Sequence, residues 1–177
     1  MKWIGLAVMG LLTASMYGQS TGAVAAAKSA CGPGDPKFSV KAEPAKDVRA
    51  SDEGEAQLYI LEVQDHVAIC PFGCGETVKL GLDGRWAGAT KGNSFLVLPV
   101  ESGEHHLCVE WDAHAWRLHK HVQLAGFSAE KGKSYYFRVH ITPGTTETID
   151  MFRFEPVDAD EGKLLVASRP QSVWTNK

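Results

Sequence analysis

Short apolar segments alternate with polar residues along the chain from Ala56 onward, and glycine, proline, asparagine and aspartate interrupt them at intervals of about ten residues. This spacing is typical of the strands of a sandwich or a barrel. No segment shows a sustained helical period, in which apolar residues recur every three or four positions. The pattern therefore predicts an all-β fold, an antiparallel β-sandwich of the immunoglobulin-like kind.

The clearest local prediction is a hairpin. Residues Thr77 to Leu82 alternate, Asp83-Gly84 supplies a pair suited to a tight turn, and Trp86 to Thr90 returns. Phe95 to Val100 is apolar on both faces, which favours a central strand. The remaining predicted strands are 56–63, 105–111, 117–124, 134–142 and 147–154, and 161–166 is predicted as a short helix or an edge strand.

The N-terminus resembles a secretory leader. Lys2 precedes an apolar run from Trp3 to Leu12, which is shorter than the ~20 residues that a membrane span needs. We therefore expect a signal peptide over residues 1–25, with cleavage anywhere from 20 to 27, and no membrane span in the mature protein. After the signal peptide, we expect an extended lead-in (26–55), the sandwich (56–166) and a loose tail (167–177).

Composition narrows the class of protein. The chain has 177 residues, of which 44% are hydrophobic and 22% charged, as expected for one globular domain. The formal net charge is -3, so the chain lacks the basic surface that binds phosphate backbones. Nucleic acid is therefore not expected as a partner.

The four cysteines are Cys31, Cys70, Cys74 and Cys108. In an exported protein an even number predicts disulfides, although three pairings are possible. Long-range pairings are favoured because a bridge that closes a longer loop stabilises more. These would tie Cys31 to the fold and join Cys70 or Cys74 to Cys108. A redox pair or a zinc knuckle fits the Cys-x3-Cys spacing less well.

One group of side chains has the chemistry of a metal site. Five histidines lie close together in the sequence, at positions 105, 106, 114, 119 and 121. Pairing the apolar faces of the two strands predicts Cys108 opposite His121 and Glu110 opposite His119, with His106 on the same face. Such a face could coordinate zinc or copper. The alternative interpretation is a solvated sheet face without a cofactor.

Tryptophans near loops give a further possibility. Trp86 and Trp116 flank predicted turns, where indole rings can bind glycans or proteins. Catalysis has less support, because no Gly-x-Ser-x-Gly elbow and no recognisable acid-base pair of carboxylates occurs. We therefore do not expect an enzyme, although a hydrolase of unrecognised type is retained as an alternative.

Three spaced segments resemble a family of exported bacterial domains catalogued as domain of unknown function 2846, which are relatives of the PEGA-type β-domains. The segments are VKLGLDG (78–84), FLVLPVESGEHHL (95–107) and GKSYYFRV (132–139). The resemblance implies a β-sandwich and an envelope or extracellular location, without assigned catalytic residues. The cysteine set departs from the family pattern. Together these observations predict an exported, noncatalytic binding or structural module of the bacterial cell envelope, whose partner is an unidentified envelope protein or glycan.

Overall fold

The computed structural model describes residues 31–45, 55–65, 77–112, 120–142 and 151–177. These residues form ten strands and one helix: β1 (Phe38–Glu43), β2 (Ala56–Gln64), β3 (Thr77–Leu82), β4 (Arg85–Lys91), β5 (Phe95–Val100), β6 (Gly103–Asp112), β7 (Lys120–Ala129), β8 (Ser134–Thr142), β9 (Met151–Val157), α1 (Ala159–Ala167) and β10 (Gln171–Asn176). Within these ranges no helix has the length and apolar character needed to cross a bilayer.

The strands form two sheets. One has six strands in the order β1-β10-β5-β2-β8-β9, and the other has four in the order β4-β3-β6-β7. Neighbours pair antiparallel, except that β10 pairs with β5 and β2 pairs with β8 in parallel. The predicted all-β sandwich is therefore confirmed, with two parallel pairs inside the larger sheet.

The core lies between the two sheets and is built from alternate residues of their central strands. Leu58 and Ile60 of β2 face Leu80 of β3 and Trp111 of β6, and all four are buried. A smaller apolar cluster covers the opposite face of the larger sheet, under α1. Gly162 of α1 permits this close approach, because a Cβ there would overlap a tyrosine ring of β8. Strand β2 is thus covered on both faces.

The predicted hairpin is confirmed. Strands β3 and β4 pair antiparallel on either side of Asp83 and Gly84. These two residues have φ values of 50° and 74°, the left-handed conformation that aspartate and glycine tolerate best in a tight hairpin turn. Strand β8 also has the predicted bounds.

The lead-in and the tail differ from the prediction. The tail carries β10, which pairs with β1 along six residues from Phe38↔Asn176 to Glu43↔Gln171 and also joins β5 through Gln171. The tail is therefore part of the larger sheet, and so is the part of the lead-in that forms β1. Trp174 anchors this edge, because its ring packs edge-on against Phe38 and lies over Gly88.

The predicted phase of the strand that contains His121 is wrong. Cys108 pairs with Leu124 rather than His121, Glu110 pairs with Val122 rather than His119, and Trp111 pairs with His121. His121 and Gln123 therefore face the core, whereas Leu124 is exposed. The cause is that β7 continues to Ala129, so its apolar inner residues are Ala125 and Phe127. His121 is accommodated by stacking on Trp111 at a centroid distance of 5.0 Å.

Gln123 closes one side of the sandwich. Its side-chain amide donates to the Phe152 carbonyl at 2.5 Å, and its Oε1 accepts from the Phe154 N–H at 2.6 Å. Strand β9 is the edge of the larger sheet as far as the described residues form it, and no described strand lies next to these backbone groups. The Gln123 carboxamide makes the hydrogen bonds that a neighbouring strand would make. It thereby protects an edge that could otherwise pair with another chain.

We expect the substitution Gln123→Leu to lower the free energy of unfolding by about 1–3 kcal/mol, because it leaves two partly buried backbone groups without partners. Urea denaturation measures the change. Ser128→Ala on the exposed side of the same strand is the control, and it should stay within about 0.5 kcal/mol of the wild type. Equal stability of the two variants would contradict the role given to Gln123.

Candidate functional site

A disulfide joins the N-terminal segment to the outer face of the smaller sheet. Cys31 and Cys108 are bridged, with their Cα atoms 4.9 Å apart, and both are buried. Gly81 on β3 makes room for this segment, because a Cβ there would overlap the Cys31 carbonyl. The expected joining of Cys70 or Cys74 to Cys108 is therefore wrong. Cys70 and Cys74 themselves lie outside the described residues.

Charged residues hold the same segment, which we call the clasp (residues 31–35). The Lys79 ammonium contacts the Asp35 carboxylate at 2.5 Å and the Glu110 Oε1 at 3.0 Å. Lys120 contacts the same two carboxylates at 2.9 and 3.3 Å. Hydrogen bonds from Lys79, and then from Lys120, lower the pKa of Asp35 to about 2. The clasp therefore covers Glu110, which is fully buried.

Trp86 takes part in the clasp. Its indole N–H donates to the Pro33 carbonyl at 3.1 Å, and the Lys79 ammonium lies 5.9 Å from the ring centroid. A Cβ on Gly32 would overlap the Trp86 ring, so the backbone of the clasp lies directly on it. The ring that was predicted to bind a partner therefore packs on this chain's own N-terminal segment. The second predicted ring, Trp116, lies outside the described residues.

The structure does not bring the predicted metal ligands together. His106 is exposed on the outer face of β6, whereas His121 faces the core from β7. Cys108, which was expected on their shared face, is in the disulfide. His119 lies outside the described residues. In the described part of the chain, no group of three or more His, Cys, Asp and Glu side chains could hold a metal ion.

His105 joins two neighbouring turns. Its Nδ1 lies 2.7 Å from the Asp83 carboxylate and its Nε2 lies 2.8 Å from the Glu101 carbonyl. Both acceptors are satisfied at once only when the imidazole is protonated on both nitrogens. Partial burial lowers the pKa of His105, but the bonds to Asp83 and Glu101 outweigh it and raise the pKa above 6.5.

Because the pKa of His105 is raised, its contribution to stability is fully present below pH ~6.5 and is lost as the pH rises through the folded-state pKa. We expect the difference in unfolding free energy between the wild type and His105→Gln to be about 1 kcal/mol at pH 6 and to shrink by pH 9. Urea titrations at both pH values measure it. His106→Gln is the matched control, since that residue bonds to Asp83 through its backbone N–H and carbonyl rather than its side chain. A difference that grows with pH would refute this interpretation of the pair.

A buried carboxyl lies at the other end of the sandwich. Glu62 of β2 is fully buried, and its Oε1 accepts from the Gly92 N–H at 2.8 Å. Burial raises the pKa of Glu62 to about 7, although the Thr90 hydroxyl, the Gly92 N–H and the nearby Arg169 charge oppose the shift. This carboxyl therefore changes its charge near neutral pH.

An open cavity of about 520 Å³ lies beside this carboxyl. We call it the Arg169 cavity. It lies where the end of β2, the β4–β5 turn and the α1–β10 connection meet. Its lining consists of Val63, Gln64, Gly92, Asn93, Ser168, Arg169 and Pro170.

Two side chains present hydrogen-bond donors at the Arg169 cavity. The Nη1 of Arg169 donates to the Glu62 carbonyl at 2.5 Å and to the Asn93 Oδ1 at 3.1 Å. Its Nε and Nη2 donate to no residue in the described ranges. Gln64 is only 8% exposed, and its Nε2 has no partner among those residues. Burial lowers the pKa of Arg169, but a guanidinium remains cationic at neutral pH.

Asn93 holds the cavity together. It lies in the turn between β4 and β5 with φ 54°, a left-handed conformation that asparagine tolerates well. Its Oδ1 accepts both from Arg169 and from the Gln64 N–H, the latter at 2.8 Å. One amide oxygen therefore fixes the guanidinium relative to the end of β2.

Sequence reasoning did not select these cavity residues. The strand AQLYILEVQ contains one carboxylate among its apolar residues, and Glu62 could have marked a buried polar site. Arg169 carried no such signal, because it follows α1 in a segment predicted to be loose.

Comparisons with known proteins leave the family open. No protein-family model matches the chain. No curated protein matches it either. The resemblance to the unknown-function family therefore stays a prediction.

Proposed function

We propose that this chain is an exported, noncatalytic binding module of the bacterial cell envelope, and that the Arg169 cavity holds its ligand. The observation that carries the proposal is a half-buried guanidinium and a buried amide donor that line one open cavity, the amide having no partner in the described part of the chain. Buried polar groups are normally satisfied by hydrogen bonds, so an exception needs an explanation. A ligand that accepts from Gln64 and Arg169 supplies one.

The chemistry of the cavity favours binding over reaction. A guanidinium stays protonated near neutral pH, and carboxamides are neither acids nor bases there. Gln64, Asn93 and Arg169 can therefore orient and neutralise a ligand, but they do not supply a nucleophile. The disulfide and the N-terminal leader pattern support export, because structural disulfides persist mainly outside the cytosol.

Expression of the full chain in a Gram-negative host tests the export half of the proposal. We expect the periplasmic fraction to contain a protein whose intact mass lacks the first 20 to 27 residues. Peptide mapping of that protein should show Cys31 bridged to Cys108. Unprocessed protein confined to the cytoplasm would refute export.

Cosedimentation with purified peptidoglycan sacculi tests the binding half. Sacculi are the probe because they are the major envelope glycan and carry free carboxylates. We expect wild-type protein to pellet with them and Arg169→Gln to lose most of that retention. Arg153→Gln, an exposed arginine on β9, is the matched control and should behave as the wild type. Equal pelleting of all three proteins, or pelleting of none, counts against the proposal.

A further inference from the structure

We infer that the Arg169 cavity is specific for a carboxylate monoanion, held between the Arg169 guanidinium and the Gln64 carboxamide. This inference rests on the proposed function and names the chemical class of its ligand. It follows from three properties of the cavity, namely its free donors, its charge and its engaged acceptors.

The free donors match a carboxylate. The Nη1 of Arg169 is occupied by Glu62 and Asn93, so Nε and Nη2 remain for a ligand. These two N–H groups form the side of the guanidinium fork that binds a carboxylate through two parallel hydrogen bonds. Gln64 lines the same cavity, and its Nε2 is a third donor without a partner among the described residues.

The charge of the cavity matches a single negative charge. Arg169 is the one cationic residue that lines it. The Asp65 carboxylate, next in sequence to Gln64, contacts Thr142 and His140 of β8. Both Arg169 and Lys91 lie close enough to Glu62 to oppose the rise in its pKa. An ionised Glu62 would still repel a second negative charge on the ligand, which disfavours a phosphate dianion.

Nearby acceptors are already engaged, which disfavours a cationic ligand. The Asn93 Oδ1 accepts two hydrogen bonds and the Glu62 carbonyl accepts from Arg169. Arg169 offers only donors, and the Gln64 Nε2 is a further donor without a partner among the described residues. A ligand must therefore bring the acceptors, as a carboxylate does with its two oxygens.

Two envelope chemistries carry such a group, the C-terminal carboxylate of a cell-wall peptide and the carboxylate of an acidic sugar. The exported chain is therefore titrated by calorimetry with acetate, D-alanyl-D-alanine and glucuronate. Acetamide serves as the neutral isostere and inorganic phosphate as the competing anion. We expect the carboxylates to bind and acetamide to show no saturable binding. Tighter binding of the dipeptide supports a peptide source, and tighter binding of glucuronate supports a sugar source.

Substitutions at the residues that line the cavity test whether the carboxylate binds there. We expect Arg169→Gln to weaken the dissociation constant for acetate at least about tenfold, because a charge-assisted hydrogen-bond pair is lost. Gln64→Glu should abolish binding, since a donor becomes an anion. Arg153→Gln should leave the affinity unchanged. Arg169→Lys keeps the charge without the fork and should retain weakened binding, which guards against a variant that merely misfolds.

Three results would overturn the inference. They are wild-type affinity in Arg169→Gln, equal binding of acetamide and acetate, and tighter binding of phosphate than of every carboxylate. Failure here is distinguishable from failure of the proposed function. Retention on sacculi that depends on Arg169 without any carboxylate affinity would keep the binding module and reject only its ligand class.

Discussion

Replacement of both bridged cysteines, Cys31→Ala with Cys108→Ala, should lower the free energy of unfolding by about 4 kcal/mol. The bridge spans 77 positions of sequence. Closing a loop of that length removes conformational entropy from the unfolded chain, and the loop-entropy relation gives a value of about this size. Urea denaturation of the wild type and the double variant, both checked for folding by circular dichroism, measures the loss.

The same double variant should release the clasp. Lys79 is 10% exposed in its side chain and contacts Asp35 and the buried Glu110. Without the bridge, acetylation of Lys79 by a lysine-reactive reagent should become faster. Asp35→Asn is the matched control, since it removes a charged partner of Lys79 but keeps the bridge. A loss below about 1 kcal/mol with unchanged Lys79 labelling would show that the disulfide does not hold this segment.

Replacement of Glu62 by glutamine should stabilise the protein above neutral pH. The pKa of Glu62 is raised from 4.5 to about 7 in the folded state. Between these values the folded protein binds a proton that the unfolded chain has released. Stability therefore falls as the pH rises from 4.5 to 7 and is level above that range. A glutamine keeps an acceptor for the Gly92 N–H but never ionises.

The expected gain for Glu62→Gln is about 3 kcal/mol at pH 8, at 1.36 kcal/mol per pKa unit, and close to zero at pH 4.5. Urea denaturation at the two pH values measures it. Glu104→Gln, at an exposed position of β6, should give no pH-dependent difference. Glu62→Leu should be destabilising because it leaves the Gly92 N–H unpaired. A gain at pH 4.5 as large as that at pH 8 would mean that the ionised carboxyl is not the cause.

Local alternation was enough to predict the hairpins and the sandwich. The β3–β4 turn and the bounds of β8 depend on neighbouring residues, so the sequence pattern marks them directly. The pairing of β1 with β10 depends on residues near opposite ends of the described chain, and β10 is short and polar. Its stability comes from Trp174 and from the partner strand, neither of which a local pattern reveals.

The error in β7 has a specific cause. Polar residues were assumed to face solvent, but His121 stacks on Trp111 and Gln123 bonds to the edge of β9. Such inward polar residues are stable only where a partner satisfies them, and the partner is known only once the fold is known. The predicted metal face depended on that phase. With the observed register, His106 and His121 lie on opposite faces of the smaller sheet, so they cannot share a metal ion.

The residues of the candidate site could not be predicted from local sequence patterns, because they are far apart in the sequence. Arg169 and Glu62 contact each other across 107 positions of sequence. Neither residue belongs to a recognisable motif. Topology brings both together with Asn93, because β2, the β4–β5 turn and the α1–β10 connection meet at one end of the larger sheet.

Nuclear magnetic resonance of the isotopically labelled protein tests the central claim most directly, because it reports on the two donor groups themselves. The side-chain amide of Gln64 and the Nε–H of Arg169 are followed while acetate is added at constant pH and ionic strength. We predict that both signals shift together along one saturable curve, and that acetamide leaves them in place. Stationary signals at both groups, with acetate-dependent shifts elsewhere, would contradict the claim that this cavity binds a carboxylate.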